Sequence, residues 1–136
     1  MKVVLDTNVL VSALISPRGA PDQIYAAWRE RRFELVSCPD QLEEFRRVTR
    51  YPKIRVRVGA SAAGEMFNGL RDFATIVPTV ASVDRSPDPG DNFLLSMAEA
   101  GAADFLVSGD RRGVLALISH GQTRIVTAAH FVELIS

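Results

Sequence analysis

Two rhythms of apolar and polar positions alternate along this chain. Short, nearly continuous apolar runs fit strands buried on both faces: residues 2–5, 33–36, 74–77, 104–107 and 124–126. Between them, apolar residues recur at helical spacing. Thr7 or Asn8 caps a helix through Val9, Leu10, Leu14 and Ile15, and Pro17-Arg18-Gly19 breaks it. Pro21 opens a second helix that carries Ile24, Tyr25 and Trp28 and ends near Arg31. A third runs over 39–50, from Pro39 until Pro52 intervenes, and a fourth over about 60–73 sets Met66, Phe67, Leu70 and Phe73 on one face. A fifth spans Asp91 to Ala100, a sixth carries Val114, Leu115 and Leu117, and a last one runs from Ala128 to Ile135. Residues 53–59 are basic and leave their structure open, and a Pro- and Asp-rich loop extends from Ser82 to Gly90.

Strand and helix alternate throughout, which predicts an α/β fold: a three-layer α/β/α sandwich around a mostly parallel five-stranded sheet, as one domain over residues 1–136. In such folds the working residues lie beyond the carboxyl ends of the strands. Asp6 and Asp110 both stand at such ends.

Composition narrows the choice of function. The formal net charge is zero, so no global field draws in nucleic acid or membrane. The charge is nevertheless unevenly spread: residues 1–68 carry eleven Lys and Arg against eight acids, and the rest carry five against eight. Arg46, Arg47, Arg50, Lys53, Arg55 and Arg57 form a run with no acid between Phe45 and Gly64, suited to the phosphates of a strand, to an acidic partner, or to solvent. Cys38 is the only cysteine, which excludes a disulfide framework and points to a reducing compartment. No apolar run is long enough to span a membrane, and Asp6 and Asn8 interrupt the N-terminal apolar stretch, so neither membrane span nor signal peptide is expected. These features together predict a cytoplasmic protein. His120, in an expected turn, and His130, in the last helix, read as surface or packing residues.

The chemistry rests on acids. Asp6 and Asp110 follow buried runs directly, and each has an alternative role as a helix or turn cap. Asp91 heads the stripe of Leu94, Leu95 and Ala98, which points it inward, although an acid at a helix N-terminus is also favoured by the dipole. On the third helix Leu42, Phe45, Val48 and Thr49 define the inward face, which puts Glu44 on its shoulder and Glu43 in solvent. If Asp6, Glu44, Asp91 and Asp110 converge, their charges repel and call for a counter-charge. A hard divalent cation with oxygen ligands supplies it: Mg²⁺, with Mn²⁺ close behind. Such an ion activates water and neutralises charge on a phosphate oxygen.

Four segments carry a family resemblance: Leu5-Asp6-Thr7-Asn8-Val9-Leu10; Glu44 ahead of Arg46-Arg47-Val48 and Pro52-Lys53; Asp91-Asn92-Phe93-Leu94; and Gly101 through Asp110. In these, and in the tail from Ile125 to Phe131, the chain resembles PIN-domain nucleases over nearly its whole length. The resemblance implies a Mg²⁺- or Mn²⁺-dependent ribonuclease with Asp6, Glu44, Asp91 and Asp110 as catalytic metal-site acids and Asn8 and Ser108 as supporting polar residues. It also implies an RNA substrate, and similarity to toxins of bacterial toxin–antitoxin pairs brings an antitoxin protein and a homodimer as expected partners. Arg46, Arg47, Arg50, Lys53, Arg111 and Arg112 are the candidate nucleic-acid contacts. Two positions depart from the pattern. Gly90 stands where relatives often have an acid, and Arg112-Gly113 where another Asp is common. A thinned acid set leaves open a non-enzymatic RNA- or protein-binding module. An aspartyl phosphotransferase fits poorly, since Lys2 and Lys53 are the only lysines and neither follows a later strand.

Overall fold

In the computed structural model, residues 1–78 and 83–136 are described. Six strands form one sheet in the order β3-β2-β1-β4-β6-β5. They are β1 (Lys2–Leu5), β2 (Glu34–Ser37), β3 (Thr75–Ile76), β4 (Phe105–Val107), β5 (Ser119–His120) and β6 (Thr123–Val126). The five expected strands are all present and pair in parallel. The sixth, β5, runs antiparallel to β6 through a tight turn in which Gly121 takes φ +58°. Two residues are too few for period-two alternation to register, which is why sequence pattern passed over this strand.

Helices cover both faces. Alternation along β1 sends Val3 and Leu5 to one side and Val4 to the other. The Val3 side packs on α1 (Thr7–Ile15), α2 (Ala20–Arg29), α3 (Pro39–Val48), α5 (Ala60–Phe73) and α7 (Ala128–Ile135), through Leu10, Ile24, Phe45, Met66, Leu70 and Phe131. The Val4 side packs on α6 (Asn92–Ala100) through Leu94, Leu95, Met97 and Ala98. The basic stretch left open by sequence contains one helical turn, α4 (Pro52–Arg55). α3 ends at Val48, short of the expected residue 50, and Pro52 occupies the first position of the next turn, where its missing N–H is harmless. The segment with Val114, Leu115 and Leu117 is a short 3₁₀ turn. Ser82, the expected start of the Pro- and Asp-rich loop, lies outside the described residues.

Strand order decides where a site can form. β1 has β2 on one side and β4 on the other, and chain direction out of the sheet reverses between them. The gap this opens beyond the carboxyl ends of β1 and β4 is where α/β sheets bind ligands. Asp6 leaves β1 there, its N–H still bonded to the Val107 carbonyl at 2.9 Å.

One buried side chain fixes α3 against this gap. Gln41 is 1% exposed; its amide donates to the Leu5 carbonyl at 2.5 Å and its oxygen accepts from the Ser37 hydroxyl at 2.6 Å. It takes the inward place that apolar pattern assigned to Leu42, which is only partly buried. Replacing Gln41 with Leu leaves the Ser37 hydroxyl and Leu5 carbonyl without that partner, and urea denaturation should show a loss of about 1–3 kcal/mol.

Candidate active site

Asp6 is 4% exposed, yet it is not left bare. The Ser108 hydroxyl donates to its Oδ2 at 2.8 Å, and the Asn8 backbone N–H donates to Oδ1 at 3.2 Å, which makes Asp6 the cap of α1. The capping role thus leaves Asp6 at the strand end, where a chemical role was expected of it. Burial dominates the balance, so its pKa lies above the ordinary value; the two hydrogen bonds pull it down and the charges of Asp110 and Asp88 push it up. Of the two expected supporting residues, Ser108 is fully buried and bridges the site, because its oxygen also accepts from the Asp110 N–H at 3.2 Å. Asn8 contributes its backbone, while its side chain is exposed.

Asp91 begins the first turn of α6 and is half-buried. Its pKa is raised to about 7, first by desolvation and then by Asp6, Asp88, Asp110 and Glu44, in that order. Four other carboxylates thus act on it at once. Glu44 is half-buried on α3, with Glu43 exposed beside it, and its carboxyl is pushed up by burial and by Asp6 while Arg47 pulls it down. The Thr7 hydroxyl is near enough to favour the charged form of Glu44, but no acceptor completes a well-formed hydrogen bond with it, and it is fully buried.

The tightest cluster contains a residue that sequence pattern missed. Asp88, Asp91 and Asp110 each offer a carboxylate oxygen, all within 4.8 Å of one another; among the described residues this is the only such group. Asp6 and Glu44 lie outside that trio but act on it electrostatically. Asp88 caps the 3₁₀ turn Pro89–Asp91 by accepting from the Gly90 N–H at 3.1 Å. It stands two residues before the position where Gly90 had suggested a thinned set, so the set is not thin. Its place in an irregular loop gave helical periodicity nothing to measure; the Asp-Pro step at a turn was the available signal.

The residues fit a hard divalent cation. Three oxygens within 4.8 Å need only small shifts to meet ligand distances of about 2.0–2.1 Å to one Mg²⁺. Gly113 leaves the space free: a Cβ there would stand 2.6 Å from Asp110 Oδ2 and 2.8 Å from Asp91 Oδ2. What looked like a missing acid at this position leaves room for the two carboxylates.

The candidate cationic contacts divide by placement. Arg47 faces Glu44. Arg111 and Arg112 are exposed next to Asp110, whose Oδ1 accepts from the Arg112 N–H at 3.1 Å. Arg50 and Lys53 are exposed. Arg46 sits over the Phe67 ring, 5.6 Å from its centroid, and so turns toward α5. Arg55 turns back to the Thr49 carbonyl at 3.2 Å, closing the end of α3.

Two tests follow. Because its native pKa is raised, Asp91 holds a proton in the metal-free fold that the unfolded chain releases near pH 4, so stability falls as pH rises toward about 7 and stays reduced above it. Thermal melts at pH 8 without metal should place Asp91→Asn about 3–5 °C above wild type, the shift of ~1 kcal/mol in a domain of this size. Gly113→Ala should fold normally, since carboxylate ends can move aside, but titration should show about tenfold weaker Mn²⁺ binding.

A model of the PIN domain matches residues 2–112, a span that includes all five carboxylates. The chain is also 28% identical over 112 residues to the uncharacterized protein MJ1680 of Methanocaldococcus jannaschii, covering 82% of this chain and 72% of that one. The chain belongs to the PIN domain family, a family of nucleases.

Proposed function

We propose that this protein is a Mg²⁺- or Mn²⁺-dependent endoribonuclease. The observation that carries the reading is the meeting of Asp88, Asp91 and Asp110 beside buried Asp6 at the switch point of the sheet. Asp88, Asp91 and Asp110 would hold the cation, with Asp6 and Glu44 completing its surroundings directly or through water. When bound, the ion lowers the pKa of water and neutralises charge on a phosphoryl oxygen.

The chain's own residues supply the rest. Ser108 fixes Asp6 in one rotamer and ties it to the backbone of Asp110, so the two acids keep their spacing. Glu44, whose carboxyl is pushed above its ordinary value by burial and by Asp6, is suited to orient the attacking water and accept its proton. The water oxygen forms the new bond to phosphorus as the bond to the 3′-oxygen breaks, and that oxygen takes a proton, leaving a 5′-phosphate and a 3′-hydroxyl. Arg47, Arg111 and Arg112 flank the acids, and exposed Arg50 and Lys53, next in the basic run, would serve as further contacts for the strand.

The family resemblance further supports RNA as substrate and a toxin role in the cytoplasm with an antitoxin partner and a homodimeric state. The binding-module alternative drew on a thinned acid set, and the presence of Asp88 beside Asp91 and Asp110 supports the enzymatic reading over it.

Cleavage of a single-stranded RNA should require Mn²⁺ or Mg²⁺. Asp6→Asn should lower the rate by at least about 100-fold and Ser108→Ala by about 10–100-fold. Equal inertness of wild type and Asp6→Asn at neutral pH with either metal would return the protein to the binding-module reading.

A further inference from the structure

Among its described residues, 83–88, the loop that presents Asp88 and Asp91 has no regular structure before its 3₁₀ turn, and Asp84, Pro87, Asp88 and Pro89 are exposed. Something outside the loop has to hold it. His120 on β5 is 9% exposed and both of its ring nitrogens are engaged: Nδ1 with an Arg85 guanidinium nitrogen at 2.7 Å, Nε2 with Glu99 Oε2 on α6 at 2.9 Å. A guanidinium can only donate, so Nδ1 must accept and Nε2 must carry the hydrogen. This chemistry selects one neutral tautomer. The same Arg85 nitrogen also approaches the Ser119 carbonyl at 3.5 Å.

From the Arg85 backbone a series of hydrogen bonds leads to the backbone of Asp88 and Asp91, the residues that carry the carboxylates. The N–H groups of Arg85 and Ser86 both donate to Asn92 Oδ1, at 3.1 and 2.9 Å. The Ser86 hydroxyl accepts from the Asp88 N–H at 3.2 Å, and the Asp88 carbonyl accepts from the Asp91 N–H at 3.0 Å. We infer that Arg85 and His120 are positioning residues: the Glu99–His120–Arg85 relay clamps the Asp88- and Asp91-bearing loop to the far edge of the sheet, and it does so only while His120 is neutral. The inference rests on the reading of Asp88 and Asp91 as cation ligands.

Protonation would turn Nδ1 from acceptor to donor and set two cations face to face, while the bond to Glu99 would persist with charge assistance. Arg85 would then let go. The charged groups facing His120 are Glu99 from α6 and Arg85 from the loop; on β6 its neighbour across the ladder is Thr123, and Arg124 lies over the Phe105 ring instead. Ala102, Gly121 and Gln122 complete the surrounding cleft without adding charge.

The test is backbone amide NMR of the metal-free protein between about pH 5 and 8, where histidines titrate, in an Asp91→Asn background so that this carboxyl stays silent. The Arg85 and Ser86 amides should follow the titration of the His120 ring protons and exchange faster with solvent at the acid end. Arg85→Met or His120→Phe should abolish that coupling; Arg85 is exposed, so its variant keeps the fold. With Asp91 restored, Arg85→Met should weaken Mn²⁺ binding about tenfold at pH 8. Amides indifferent to the His120 titration, or Mn²⁺ affinity unchanged in Arg85→Met while Asp91→Asn loses it, would overturn the clamp and leave the metal site standing. Coupled amides in a wild-type protein that binds no Mn²⁺ would leave the clamp standing and overturn the ligand reading.

Discussion

Repulsion among carboxylates confined to a poorly solvated gap is the constraint on which the rest of this structure depends. Asp6 is nearly inaccessible to water, Asp91 is lifted to about pH 7, and Glu44 is pushed in the same direction. Burial is the first cause in each; after it, Asp110 and Asp88 raise Asp6, Asp6 raises Glu44, and Asp6, Asp88, Asp110 and Glu44 all raise Asp91. In water such groups would stay apart. Here β1, β4, the capped start of α1 and the capped 3₁₀ turn ahead of α6 leave them no choice, and the fold holds a concentrated negative potential that a small hard cation relieves.

The fold meets this demand with ordinary means. A parallel strand order that reverses between β1 and β4 opens the gap. Ser108 shares its hydroxyl between Asp6 and the Asp110 backbone, Gln41 ties α3 to the end of β1, and Gly113 offers no side chain where two carboxylates need room. None of these three residues is an acid, yet each sets where an acid stands.

Much of this was legible in the sequence, because the elements that matter repeat a period. Val3-Val4-Leu5 and Phe105-Leu106-Val107 read as buried strands, so Asp6 and Asp110 could be placed at strand ends; the stripe of Leu94, Leu95 and Ala98 turned Asp91 inward, and helical phase separated Glu44 from Glu43. What stayed hidden had no period or depended on contacts distant along the chain. Asp88 lies in an irregular loop. Gln41 is polar at an inward position and can be explained only by the Leu5 carbonyl it meets. His120, read as a turn residue, is buried because β5 exists, and β5 is two residues long. Arg46 and Arg55 belonged to a basic run in sequence, but a ring and a carbonyl draw them from it.

If crowding of buried acids is what makes the site, then binding a cation must expel the proton that crowding retains. Titration calorimetry with Mn²⁺ in buffers of different ionisation enthalpy measures that proton directly. Near pH 6 about one proton should leave per ion bound, and the release should fade above about pH 8, where Asp91 is already ionised. Binding with no proton release at either pH would mean that the carboxylates were never held in opposition, and would contradict the account.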